Sequence, residues 1–265
     1  MTVRAIDDPA DPRVRDFRDL TDVAARSAKE PAEGLFVAEG AKVIRRALRA
    51  GYRMRAVLTE PKWLPELEAD LDATDTEILL ATPDVLRAIT GYRVHRGALA
   101  SMQRRALPSV QDVLAGAGLV VVLVDLVDHT NVGAVFRNAA ALGADAVLVS
   151  PGCADPLYRR SIKVSMGAAL TLPWTRTGPD PIADLTGWTT FALTPDPAAE
   201  NIDTLVLPAG PRALLLGTEG AGLPPALMVR VDRRVRIPMA DGVDSLNVGA
   251  ASAIALHVMR QGVPS

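Results

Sequence analysis

The run Leu119-Val-Val-Val-Leu-Val-Asp125 constrains this chain more than any other stretch. It is continuously apolar and rich in β-branched valine, which suits a strand covered on both faces, at the centre of a parallel sheet. Downstream of it, helices and strands alternate in the manner such a sheet requires. A helix is expected over Val132 to Leu142, a strand over Ala146 to Val149 and a helix around Pro156 to Met166. Strands are then expected over Thr189 to Leu193, Arg212 to Leu216 and Val235 to Ile237, with a terminal helix opening near Ser245. This is an α/β pattern, and its ligand site belongs outside the carboxyl ends of the strands. Four loops lie there: Asp125 to Gly133, Thr194 to Glu200, Gly217 to Gly222, and Pro238 to Asn247.

A smaller α/β unit is expected upstream. Phe36-Val-Ala leads into a helix from Gly40 to Ala50. The strands Arg55 to Thr59 and Glu77 to Leu80 come next, and Pro83 opens a helix that Gly91 ends. The start, through Glu33, is rich in Asp, Arg and Pro and reads as a surface wrap. The domain boundary falls near Leu107, giving an N-terminal domain 1–107, a linker 108–118 containing a short helix, and a C-terminal domain 119–265.

Composition narrows the chemistry. No apolar run reaches the roughly 18 residues of a membrane span, and the charged start Met1-Thr-Val-Arg-Ala-Ile-Asp-Asp lacks an apolar signal core, so a cytoplasmic protein is expected. Cys153 is the single cysteine, which excludes an internal disulfide. His95, His129 and His257 are scattered, and no metal is expected. The net charge of -2 says nothing about nucleic acid, but its distribution does. Lys42, Arg45, Arg46, Arg49, Arg53 and Arg55 share one window without an acid; Arg87, Arg93, Arg96, Arg104 and Arg105 share another. Each window is either a phosphate-contacting surface or a solvated face.

Three stretches carry candidate chemistry. In Leu214-Leu-Leu-Gly-Thr-Glu-Gly-Ala-Gly-Leu223 a buried strand runs into Gly217, Gly220 and Gly222, so backbone can press against a nucleotide-like ligand. The spacing is neither a dinucleotide fingerprint nor a P-loop. A plain turn is the alternative, though such a turn has no need of Glu219. In Asp128-His-Thr-Asn-Val-Gly-Ala-Val-Phe-Arg137, Asn131 is placed as an N-cap. Arg137 sits in an apolar helix, either as a paired structural group or as a phosphate ligand. The terminal helix carries Gly249, Ala250, Ala251, Ser252 and Ala253, small enough for another backbone to approach closely, and Asp244 or Ser245 at its mouth reads as an ordinary cap.

Taken together, Asn131 through Gly143, Leu216-Gly-Thr-Glu-Gly-Ala-Gly-Leu223, and Ile237-Pro-Met with Ser245-Leu-Asn-Val248 resemble the three ordered motifs of the SpoU/TrmH branch of the SPOUT RNA 2'-O-ribose methyltransferases. Phe36-Val-Ala-Glu-Gly40 through Leu58 is similar to that family's N-terminal substrate-binding domain of the L30e/L7Ae type. The resemblance implies a parallel α/β sheet whose C-terminal segment threads a trefoil knot, which periodicity alone does not reveal. It implies S-adenosyl-L-methionine as cofactor, held against Thr194, Leu216, Gly217, Glu219, Ile237, Met239 and Leu246. It also implies a catalytic group of Asn131, Arg137, Glu219, Ser245 and Asn247, and a homodimer built on the C-terminal domain. His129, Thr218 and Gly249 depart from the family's usual residues.

Methyl transfer to a ribose 2'-oxygen needs a group that takes the hydroxyl proton. Arg137, with a pKa above about 12, suits phosphate binding and charge stabilisation better than base catalysis, and Glu219 is the better acceptor. The implied partner is RNA, ribosomal RNA ahead of tRNA, with a resistance-type large-subunit methyltransferase one form of that reading. Arg45, Arg49, Arg93, Arg96 and Arg104 are the candidate RNA contacts. Two rivals remain: a catalytically silent RNA-binding relative, against which stand the intact Arg137, Glu219 and Asn247, and a dinucleotide oxidoreductase, against which stands the glycine spacing.

Overall fold

The computed structural model describes residues 2–71, 76–94 and 97–261. The chain divides into two compact units, Met1–Ala106 with Leu157–Lys163, and Leu107–Pro156 with Val164–Ser265.

The first unit holds strands β1 (Thr2–Ile6), β2 (Leu35–Glu39), β3 (Met54–Thr59), β4 (Glu77–Ala81) and β5 (Ala98–Gln103), with helices α1 (Val23–Ala32), α2 (Ala41–Arg49), α3 (Leu64–Leu71) and α4 (Pro83–Thr90). Its sheet order is β1-β4-β3-β5-β2. The first 33 residues are not a surface wrap. β1 pairs in parallel with β4, and Val14, Phe17 and Leu20 are fully buried in the same apolar cluster as Leu35, Leu58 and Leu79. The buried Asp16 fastens this segment by accepting the Ser101 hydroxyl of β5 at 2.6 Å. β5 itself, antiparallel to both β2 and β3, is a strand the sequence pattern does not announce. Its residues Ala98-Leu-Ala-Ser-Met-Gln103 are mostly weak strand formers, and burial between two neighbours overrides that preference.

The second unit holds β6 (Leu119–Leu123), β7 (Ala146–Val149), β8 (Trp174–Arg176), β9 (Thr189–Leu193), β10 (Glu200–Asn201), β11 (Arg212–Leu216) and β12 (Arg233–Arg236). Its helices are α5 (Val110–Leu114), α6 (His129–Ala141), α8 (Pro225–Met228) and α9 (Val248–Met259), while α7 (Arg159–Val164) lies almost wholly within the residues of the first unit. The sheet order is β10-β12-β9-β11-β6-β7-β8, and every pairing is parallel. The middle strand is β11 and not, as expected, β6, which lies beside it between β11 and β7; β6 is nonetheless interior and buried at every residue, which is why its sequence carries no polar alternation. Residues 108–118 do not form a linker: Val113 on α5 is buried in the core cluster that holds Val120, Val122 and Val124 on one face of the sheet.

On the other side α6 and α9 pack together with little between them. Asn138 Nδ2 donates to the Gly249 carbonyl at 2.6 Å and to Ser252 Oγ at 2.9 Å. A Cβ at Gly249 would stand 2.9 Å from that of Ala134, so the departure from the family at this position has a packing cause. The far end of α9 is also held. Buried Arg212, the first residue of β11, donates through Nη1 to the carbonyls of Met259 and Gln261 at 2.7 and 2.9 Å. A guanidinium there satisfies the acceptors that a helix C-terminus leaves open.

Candidate active site

The site forms where β9, β11 and β12 end and where α6 and α9 begin. β11 delivers Leu216 and then Gly217, where any side chain is forbidden: a Cβ would lie 2.4 Å from the carbonyl carbon of Gly222. The loop doubles back so tightly that Thr218 pairs with Gly222, whose N–H donates to the Thr218 carbonyl at 3.0 Å. Gly220 and Gly222 supply the left-handed backbone of that reversal, with φ of +81° and +67°. The reversal leaves Glu219 exposed at its tip.

Against this loop lies a cavity of about 430 Å³. β9 contributes Leu193 and, beyond its end, Thr194 and Pro195. The segment after β12 contributes Ile237, Met239, Ser245, Leu246 and Asn247, and the start of α9 contributes Val248 and Ala251. Thr194, Leu216, Gly217, Glu219, Ile237, Met239 and Leu246, the residues expected to hold a cofactor, all line it. Its walls join aliphatic side chains to backbone groups that the glycines leave uncovered.

At the mouth three polar side chains converge. Asn131 Nδ2 donates to Glu219 Oε1, and Asn247 Nδ2 donates to the same oxygen at 3.3 Å and to Asn131 Oδ1 at 3.0 Å. Among the described residues no hydrogen bond reaches Glu219 Oε2. Two expected caps are corrected here. Asn131 is not the N-cap of α6; Asp128 is, accepting the N–H groups of Thr130 and Asn131 at 2.7 and 3.0 Å and leaving the Asn131 side chain for Glu219. Burial pushes the Asp128 carboxyl up, but the amides it accepts outweigh that and hold it below the usual carboxylate value. Neither Asp244 nor Ser245 caps α9, whose N-cap is Asn247: its Oδ1 accepts the Gly249 N–H at 2.9 Å while its Nδ2 serves the trio. One side chain thus starts the helix and orients the carboxylate.

The remaining candidates lie apart. Ser245 lines the cavity, whereas Arg137 does not. Six residues beyond Asn131, it is displaced about 9 Å along α6 and turned to another face. It is exposed and has no hydrogen-bond or ion-pair partner among the described residues. In the first unit, Arg45 is engaged by Asp70 at 2.6 Å and by the Glu66 carbonyl, and half-buried Arg104 donates to the Leu35 carbonyl at 2.7 Å. Neither is a free surface cation. Arg49 and Arg93 are exposed, and Arg96 lies outside the described residues. Lys42 and Arg46, which are not among the candidate RNA contacts, share one exposed row of α2 with Arg49 at i, i+4 and i+7 spacing. Cys153 is buried, with its thiol pushed up by burial; it accepts the Leu126 N–H at 3.2 Å and donates to the Leu123 carbonyl at 3.3 Å.

The SpoU rRNA Methylase family matches residues 118–257. The chain belongs to the SpoU rRNA methylase family. That match spans every residue of the 430 Å³ cavity and all of Asn131, Glu219 and Asn247. The MRM3-like substrate binding domain matches residues 11–100. An uncharacterized tRNA/rRNA methyltransferase of Mycobacterium tuberculosis is 40% identical over 97% of this chain and 91% of its own length. The 23S rRNA (guanosine-2'-O-)-methyltransferase RlmB of Ralstonia nicotianae is 32% identical over 70% of this chain and 77% of its own. Among solved structures, an AdoMet-bound rRNA methyltransferase from Sinorhizobium meliloti superposes with a TM-score of 0.84 at 25% identity, covering 99% of both chains. This SpoU methylase therefore has the expected α/β fold with a parallel sheet.

Proposed function

We propose that this SpoU methylase transfers a methyl group from S-adenosyl-L-methionine to a ribose 2'-hydroxyl of ribosomal RNA. The observation that carries the reading is the convergence of the Asn131 and Asn247 amides on one carboxylate oxygen of Glu219 at the mouth of the glycine-walled cavity. The cavity fits the cofactor: Leu216, Ile237, Met239 and Leu246 offer an apolar bed, Thr194 and Gly217 offer backbone groups, and no Cβ fits at Gly217. Bound there, S-adenosylmethionine supplies an electrophilic methyl group.

The protein's own residues do the rest. A 2'-hydroxyl is a weak nucleophile until it shares its proton. Glu219 Oε2 takes that proton, and the two amides on Oε1 fix the direction in which the carboxylate points. Ser245, at the rim, hydrogen-bonds the ribose. Arg137 grips the neighbouring phosphate and stabilises the developing alkoxide. Because it does not line the cavity of its own chain, we assign it to the cavity of a second copy, in a homodimer built on residues 119–265. The SPOUT resemblance adds a knotted backbone over the same residues.

The first unit is the RNA-binding part of this reading. Its phosphate contacts are Lys42, Arg46 and Arg49, joined by Arg93, in place of Arg45 and Arg104. Lys42 sits in the first turn of α2, where a cation opposes the helix dipole and no acid balances it, so helix stability does not account for it. Ribosomal RNA is favoured over tRNA by the 23S rRNA activity in the names of RlmB and of RlmP from Bacillus subtilis. The setting is the cytoplasm; among the described residues no helix is long and apolar enough to cross a membrane. The test is mass-spectrometric mapping of 2'-O-methyl groups on rRNA and on tRNA after incubation with the protein and S-adenosylmethionine. A new methyl on 23S rRNA is expected. Methylation of tRNA alone would move the acceptor, and methylation of neither would overturn the reading.

A further inference from the structure

A second cavity, of about 450 Å³, opens at the carboxyl ends of β6 and β7, on the α8 side of the catalytic loop. Pro151, Pro179, Pro181 and Pro224 give it rigid apolar walls, and the Arg230–Asp180 ion pair, at 2.7 Å, stands at its edge. Its singular feature is Asp125. This residue has φ of +53°, a left-handed backbone that a non-glycine residue keeps only where its surroundings fix it. Ser150 does so: its Oγ accepts the Asp125 N–H at 2.9 Å and donates to Asp125 Oδ1 at 2.8 Å. Gly152 makes the room, since a Cβ there would lie 2.4 Å from Asp125 Oδ1. Oδ2 receives no hydrogen bond among the described residues, and the side chain is exposed. The carboxylate is therefore held in place with one oxygen unused, beside apolar walls.

We infer that this cavity receives a guanine base of the substrate RNA, with Asp125 accepting its N1–H and N2–H donors. The fixed carboxylate offers two acceptors in one plane: Oδ2 is unused, and Oδ1, which takes the Ser150 hydroxyl, keeps a second lone pair. Guanine alone among the four bases presents two adjacent donors on its Watson–Crick edge; adenine, cytosine and uracil each set an acceptor against the carboxylate. Proline rings supply the flat apolar contact that an unstacked base needs. The volume lies near the lower end of ligand pockets, about 300–1,000 Å³, and has room for one ring system. The two cavities share no lining residue but are built on loops of the same sheet: Gly217, Gly220 and Gly222 line the first and Pro224, two residues on, lines the second, while Asp125 opens the loop that leads to Asn131. On this inference an RNA strand whose ribose lies at Glu219 places one of its bases in this pocket. The inference rests on the RNA methyltransferase reading for its source of guanine, but its test does not need turnover.

The full chain, saturated with S-adenosylmethionine, is titrated with guanosine, inosine and adenosine 5'-monophosphates by ligand-observed NMR. Inosine lacks only the 2-amino group. Guanosine monophosphate should bind roughly ten-fold or more tighter than the other two, the worth of one hydrogen bond to a charged acceptor. Asp125→Asn keeps the acceptor for Ser150 and should abolish that preference while leaving cofactor affinity unchanged. Equal binding of all three nucleotides, or a preference that survives in D125N, would overturn the inference. A guanine preference in a protein that methylates no RNA would leave this site standing and remove the methyltransferase reading instead.

Discussion

Replacing Gly217 by alanine tests the link between loop geometry and catalysis. The added methyl would stand 2.4 Å from the Gly222 carbonyl carbon and 2.5 Å from both the Gly222 oxygen and the Leu223 nitrogen. All three are backbone atoms, so no side-chain rotation relieves the clash. Ordinary carbon contacts need about 3.5–4.0 Å, and the returning arm of the loop must therefore move by about 1 Å. Overpacking of that kind costs about 1–3 kcal/mol, which urea denaturation would read as a lower midpoint with unchanged slope. The larger effect falls on Glu219, which lies between the two arms and is aimed by Asn131 and Asn247. A displacement of about 1 Å at a reacting group costs on the order of 100-fold in rate. Single-turnover methyl transfer on rRNA should fall by that factor, and calorimetry should show weaker S-adenosylmethionine binding. Gly178→Ala is the control, since nothing lies within 4 Å of its added Cβ, and it should change stability by less than about 0.5 kcal/mol. A Gly217→Ala protein with normal rate and cofactor affinity would refute the claim that this loop is closed against side chains.

Glu219→Gln should lower the transfer rate by about 10²–10⁴ while cofactor affinity, measured by calorimetry, stays within a few-fold; a loss of binding alone would point to a structural role. Asp128→Ala should cost about 1 kcal/mol of stability near neutral pH. Since the folded carboxyl lies below its ordinary value, this contribution is present above the ordinary carboxylate range and fades as pH falls through the lowered one, so the two denaturation curves should converge in acid. Replacing Lys42, Arg46 and Arg49 together by glutamine should flatten the log–log salt dependence of RNA binding by roughly 2, whereas Arg45→Gln and Arg104→Gln, measured the same way, should leave the slope alone. Arg212→Leu strips two carbonyls of a charged donor and should cost about 1.5–3 kcal/mol by urea titration, with α9 becoming the readiest segment to exchange amide hydrogens.

Much of the second unit was legible because its strands are buried on both faces and its turns need glycine. Leu119–Leu123 could form only an interior strand, though its place one strand off the middle was not legible, and the loops after the strands came with it. Residue roles were less legible where two side chains compete for one. Asp128 and Asn131 are both good caps, and only the presence of Glu219, 88 positions away from Asn131, decides which of them is spare. Asn247 has the look of a site residue and also starts its helix. In the first unit, acids far along the chain neutralise basic residues that local counting leaves free, as Asp70 does for Arg45. The amino-terminal segment misleads because Val14, Phe17 and Leu20 are sparse among charges, yet all three are core. β5 is hidden because Ala and Ser carry little preference for strand.

The separation of the site's members along the chain sets an order of events. Asn131 and Asn247 are 116 positions apart, and Glu219 lies between them. At about 5–20 residues per second, a ribosome needs roughly 6–23 s to pass from the first to the last. Within that interval β6 can pair with β7, but the Glu219 carboxylate arrives only 88 positions after Asn131 and waits 28 more for its second amide, and the cavity lacks the wall that α9 supplies. Methyl-transfer competence thus waits for Asn247, the last of the three to be made.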